Sequence, residues 1–129
     1  MITVSAPGKL MRLGEHAVVY GQACRVSAIN RRLTVSIEQK HDGKVTIDAP
    51  DVSDTRFLEK AVAAGCAVWG IVHSGLSIKT KSELGMYGFG SSAAVTVATL
   101  QALATLFQKT VQKKELFRVA KQVVVEVQG

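Results

Sequence analysis

Residues 85–94 read Gly85-Met86-Tyr87-Gly88-Phe89-Gly90-Ser91-Ser92-Ala93-Ala94 and lead straight into Val95-Thr96-Val97-Ala98-Thr99-Leu100-Gln101-Ala102-Leu103-Ala104-Thr105-Leu106-Phe107. The second part carries little polar surface, which predicts a helix buried on most sides. The first part sets up how that helix begins. Its glycines let the backbone approach a ligand closely and adopt conformations closed to other residues. The unpaired amides of a helix start, together with its dipole, make an anion site. Ser91 and Ser92 add hydroxyls able to hold a phosphate oxygen or a Mg²⁺ ion. No lysine follows the last glycine, so this is not the Walker A pattern, and the dinucleotide fingerprint is also absent. The same residues equally suit a tight strand-to-helix turn with a serine cap.

Working back from this loop, Leu76-Ser77-Ile78-Lys79-Thr80-Lys81 alternates as a strand with one wet face. Before it, Phe57, Leu58, Ala61, Val62, Gly65, Val68, Trp69 and Val72 recur at helical spacing. Asp54 or Thr55 can cap that helix, and His73-Ser74-Gly75 is the expected end. Arg32 to Glu38 alternates cleanly and predicts a half-buried strand. His41-Asp42-Gly43-Lys44 is a turn signal, which makes Val45-Thr46-Ile47 the expected returning strand of a hairpin. Ile2 to Ser5 reads as a short strand broken by Ala6-Pro7-Gly8. Downstream, Lys113 to Val127 predicts a last helix, with Leu116, Val119, Ala120, Val123, Val124 and Val127 apolar.

The 129 residues fit one domain. Hydrophobic residues are 47% and charged residues 20%, an ordinary globular balance. No stretch has the roughly 18 uninterrupted apolar residues of a membrane helix. The N-terminus lacks the basic start and apolar middle of a signal peptide, so the expected location is cytoplasmic. Cys24 and Cys66 form no CxxC pair and have no metal-ligand spacing with His16, His41 or His73, which favours two reduced thiols. The net charge of +6 suits anionic partners such as a nucleotide or a phosphorylated metabolite. Lys109, Lys113, Lys114, Arg118 and Lys121 read as a solvated helix face. Aromatic residues are 5% and do not interleave with the basic ones, which argues against stacking on nucleic acid.

A second polar group stands near the N-terminus. Lys9, Glu15 and His16 lie within eight residues, among Leu10, Met11, Leu13, Ala17, Val18 and Val19. Each alone has a bland reading, as a surface charge, a cap and a satisfied core histidine. Their apolar neighbours imply burial, and buried polar groups need partners or a ligand.

The segment Ala6-Pro7-Gly8-Lys9-Leu10-Met11-Arg12-Leu13-Gly14-Glu15-His16-Ala17-Val18-Val19-Tyr20-Gly21 closely resembles the first motif of the mevalonate kinases. Gly88-Phe89-Gly90-Ser91-Ser92-Ala93-Ala94 resembles the phosphate-binding motif of the wider GHMP kinase family. The resemblance covers essentially the whole chain in order and spacing. It implies an α+β fold, a two-layer sandwich of the ribosomal protein S5 domain 2-like type, with residues 1–129 forming the N-terminal, ATP-binding domain. It also implies roles. Lys9 matches the lysine beside the reacting hydroxyl and, with Glu15 and His16, residues that bind mevalonate. Gly88, Phe89, Gly90, Ser91, Ser92 and Ala93 would wrap the ATP phosphates. Ser92 matches a Mg²⁺-binding serine, and Glu126 looks like the second Mg²⁺ carboxylate. Glu126 also reads as a plain solvated helix residue.

Family members continue past the Gln-Gly matched by Gln128-Gly129 with a Ser-Gly-x-Asp segment, whose aspartate is the proposed base. No residue here matches that aspartate or the C-terminal domain. The expectation is the N-terminal part of a longer enzyme that catalyses poorly or not at all by itself. Such a part would expose apolar surface and favour homo-oligomers. The rival readings are phosphomevalonate kinase or another family member, a non-catalytic nucleotide-binding relic, and an RNA-binding domain.

Overall fold

A computed structural model describes residues 1–13, 25–84 and 90–128. The chain forms β1 (Ile2–Leu13), β2 (Arg25–Gln39), β3 (Val45–Asp48), α1 (Arg56–Trp69), β4 (Leu76–Ser82), α2 (Ser91–Leu106) and α3 (Lys113–Gln128). One four-stranded sheet runs in the order β1-β2-β4-β3. This mixed architecture is the expected fold class.

The alternation in β2 decides which face is covered. Leu33, Val35 and Ile37 are fully buried, while Thr34 and Ser36 are partly wet and Glu38 is exposed. These residues join Leu76 and Ile78 of β4, Phe57, Leu58 and Val62 of α1, and Ala94, Val95, Ala98 and Leu103 of α2 in one core. A second cluster of Ala61, Leu100, Val119, Ala120 and Val123 fastens α3 onto α1 and α2. The expectation of a largely buried α2 holds, from Ala94 through Ala104.

Three expectations need correction. First, Ala6-Pro7-Gly8 does not end the first strand. β1 continues to Leu13 against β2, with its register shifted between Pro7 and Lys9. The irregularity passes over Gly8 on β1 and residues 29–31 on β2, so the surplus residues bulge from β2. Pro7 still stands opposite Arg32, and β1 is an edge strand, where proline is tolerated. Second, β2 and β3 are not a hairpin. Residues 40–44 do turn, with Gly43 at φ +72°, but β2 pairs antiparallel with β4 and β3 pairs parallel with β4. α1 is therefore the crossover between two parallel strands, as that geometry demands. Third, α1 stops at Trp69, because Gly70 takes a left-handed conformation and its N–H returns to the Cys66 carbonyl. Val72 is consequently left 90% exposed, off the buried face. At the other end Thr55 is the N-cap without a side-chain bond, while Asp54 Oδ1 accepts from the Arg56 amide at 3.0 Å.

Candidate active site

Lys9 lies on β1 immediately after this register shift, opposite Ala28 of β2. Gly90 is the N-cap of α2 with φ +76°. α2 packs over β1, and this brings the two residues together. A Cβ built on Gly90 would stand 2.8 Å from Lys9 Cγ and 3.2 Å from Lys9 Cε. The methylene stem of Lys9 therefore lies across the bare Cα of Gly90. Both features of Gly90, its left-handed backbone and its missing side chain, are required there. The register shift beside Lys9 and the glycine at the start of α2 together seat a lysine beside a helix N-terminus.

The helix start itself is prepared for negative charge. Its first turn contains no acidic residue and no side chain caps it. The first helical bond runs from the Ala94 amide to the Gly90 carbonyl at 2.9 Å, so the amides before Ala94 have no helical acceptor. The serine cap considered from sequence is thus not formed. Ser91 and Ser92 are half-buried and Ala93 is exposed. Thr96 Oγ1 donates to the Ser92 carbonyl at 2.7 Å, which braces the first turn from inside. Among the described residues no carboxylate lies within ion-pair reach of Lys9. A cation and a set of free amides converge with no built-in counter-charge, and this arrangement suits a phosphate.

Not every expected site residue joins this cluster. Glu15, His16, Gly88 and Phe89 lie outside the described residues, as does Cys24. Glu126 is described, and its carboxylate is engaged by neighbouring side chains. Its Oε2 is 3.6 Å from Lys60 Nζ on α1, and its Oε1 accepts from Gln122 at 3.2 Å. The side of α3 that shares a groove with Ala93 and Val97 carries Phe117, Ala120, Lys121, Val124 and Val125. Glu126 follows Val125 of that groove, turned ~100° round the helix from it, and borders an adjoining hollow with Phe117, Lys121 and Val125. A Mg²⁺ ion is implied by the fold family, and the donor set fits it in part. The Ser92 hydroxyl is a hard oxygen donor at the correct end of α2. Glu126 is held on the α1 side, and among the described residues no group of three His, Cys, Asp or Glu could hold a metal.

Comparison with known proteins defines the class. The family profile described as "GHMP kinases N terminal domain" matches residues 56–129. The chain belongs to the GHMP kinase family. It is 38% identical over 129 residues to a mevalonate kinase of Archaeoglobus fulgidus, covering 97% of this chain and 45% of that protein. The crystal structure of the Methanococcus jannaschii mevalonate kinase superposes with a TM-score of 0.91 at 23% identity, over 99% of this chain and 47% of the other. A Streptococcus pneumoniae phosphomevalonate kinase, in complex with phosphomevalonate and AMPPNP, superposes with a TM-score of 0.80 at 23% identity, over 96% and 42%. The chain spans about half the length of the relatives it matches. Among the described residues no helix is long and apolar enough to cross a membrane.

Proposed function

We propose that residues 1–129 supply the nucleotide-phosphate site of a mevalonate kinase, which transfers the γ-phosphoryl group of ATP to mevalonate to give 5-phosphomevalonate. The observation that carries this reading is the Lys9 stem laid across Gly90 at the uncapped start of α2. Relatives named mevalonate kinase, matched over nearly the whole chain, support the choice of substrate.

Phosphoryl transfer rests on positioning and on neutralising charge at the phosphoryl oxygens. The free amides from Gly90 to Ala93 would hold phosphate oxygens in fixed geometry. Gly88 and Phe89 would extend that cradle. The Lys9 ammonium would sit where the transferred group meets the acceptor hydroxyl and stabilise charge developing on it. Glu15 and His16 would orient mevalonate. Mg²⁺ bound with the nucleotide would supply further charge neutralisation, with the Ser92 hydroxyl as its protein contact. Glu126 belongs to this arrangement only if it exchanges Lys60 for the ion. The activity belongs to the whole protein, so residues 1–129 alone are expected to turn over poorly.

The test is substrate-dependent ADP release by the protein, with mevalonate and phosphomevalonate offered separately. Mevalonate should drive turnover, and Lys9→Met should lower kcat by about 100-fold or more while the fold is kept. Turnover with phosphomevalonate alone would move the protein to the phosphomevalonate kinase branch. Unchanged turnover in Lys9→Met would remove the assigned role of Lys9.

A further inference from the structure

β4 ends at Ser82, and the next residue decides where the chain turns away towards α2. Leu33 of β2 stands opposite Ser82 of β4, which makes Arg32 and Glu83 the next opposed residues. A hydrogen-bonded pair in an antiparallel ladder exchanges two backbone bonds. Here the Glu83 amide donates to the Arg32 carbonyl at 3.0 Å. The Arg32 amide donates instead to Glu83 Oε1 at 3.1 Å. The side chain of Glu83 thus stands in for its own carbonyl. The main chain is released from the sheet at this residue, and the Arg32 amide keeps a partner. Leu84 follows, fully buried, with its amide donating to Ser82 Oγ at 3.1 Å. From there residues 85–89 lead to Gly90 at the start of α2.

Arg32 has a second attachment. Its Nε donates to Ser5 Oγ at 2.7 Å and its Nη2 to the Ser5 carbonyl at 3.0 Å. Ser5 lies four residues before Lys9 on β1, and Pro7 opposite Arg32 is the last pair before the register shift. One residue of β2 therefore touches both segments that build the phosphate site. Its guanidinium holds the strand that carries Lys9, and its backbone holds the point from which the glycine-rich segment departs. Among the described residues no cation lies within ion-pair reach of Glu83. Its carboxylate serves as the acceptor of a backbone amide, a charge-assisted bond. Resting on the kinase reading, we infer that Glu83 is a positioning residue for the nucleotide phosphates. It acts through the main chain, by fixing where the glycine-rich segment leaves the sheet.

The test compares Glu83→Ala, which removes the acceptor, with Glu83→Gln, whose amide oxygen keeps it. Glu83 is exposed, so both variants are expected to fold, with urea midpoints close to that of the unaltered protein. Glu83→Ala should weaken AMPPNP binding and raise KM for ATP about tenfold, with KM for mevalonate unchanged. Glu83→Gln should restore both. In ¹⁵N-labelled protein without nucleotide, the amide signals from Leu84 to Gly90 should move in Glu83→Ala and return to their places in Glu83→Gln. Unchanged AMPPNP affinity in Glu83→Ala, an equal loss in both variants, or a Glu83→Ala chain that does not fold would each overturn the inference. Absence of AMPPNP binding by the unaltered protein would overturn the kinase reading instead. The nucleotide-free amide signals would then still decide whether Glu83 sets the departure of the segment.

Discussion

At the scale of single residues, Gly90 is the position least open to change. Adding one methyl group would place it 2.8 Å from Lys9 Cγ on a backbone held at φ +76°. Gly90→Ala is expected to cost about 1–3 kcal/mol in chemical denaturation, because left-handed strain and a clash coincide. It should also weaken nucleotide binding, since the Lys9 stem has to move away from the amides. Unchanged stability and affinity would mean that the contact between the two residues is incidental. Lys9, Gly90, Ser91 and Ser92 stand out in the sequence because each sits in a short motif, and the structure adds that Lys9 and Gly90 meet at the start of α2. Glu126 was less legible. A lone carboxylate near a helix end says nothing about the direction it faces, and Lys60, 66 residues earlier, holds it to α1. Both members of that pair are about half exposed, so it contributes no more than about 1 kcal/mol. Glu126→Gln should therefore change stability within that range and leave the Mg²⁺ dependence of nucleotide binding unaltered. A marked loss of Mg²⁺-dependent affinity would instead show that Glu126 leaves Lys60 to meet the ion.

At the scale of elements, periodicity identified α1, α3 and the strands β2 and β4, and the scarcity of polar residues identified α2. What it could not give was partnership. Val45 to Ile47 follows a sound turn signal, yet its partner β4 arrives about thirty residues later, after α1. β4 already occupies the edge of β2 that a hairpin would need. The choice between the two pairings is made by the hydrophobic face of α1, which must land on the sheet. Its tightest point is Gly65, where an added Cβ would come within 2.7 Å of Leu103 Cδ2 and 3.3 Å of Leu100 Cδ2 on α2, and 3.2 Å of Trp69 Cζ3. Gly65→Val is expected to destabilise the protein by about 1–3 kcal/mol through overpacking, read as a lowered midpoint in urea with an unchanged slope. A neutral result would show that α1 and α2 have room to separate. That separation would in turn carry the start of α2 away from β1, and so link the packing of this pair to the seating of Lys9.

At the scale of the whole molecule, the outer side of the helical layer is unfinished. Phe117 is 68% and Val125 56% exposed, and they flank an apolar groove with Ala93, Val97 and Val124 between α2 and α3. Patches of this kind on a soluble chain mark surfaces that meet another surface. The groove also begins one residue past Ser92, so whatever covers it borders the phosphate site. The relatives are about twice as long as this chain, and sequence alone could not show which face their additional half would meet. For residues 1–129 taken alone, the available apolar surface is that of a second copy. Sedimentation velocity should therefore show association that grows with concentration, and the pair of substitutions Phe117→Ser and Val125→Ser should suppress it. Lys121 sits within the same groove and brings a like charge to it from each copy, so raising the salt concentration should strengthen the association by screening that repulsion. A single monomeric boundary at high concentration and high salt would show that the groove is self-sufficient. The exposed Phe117 and Val125 would then need no partner to explain them.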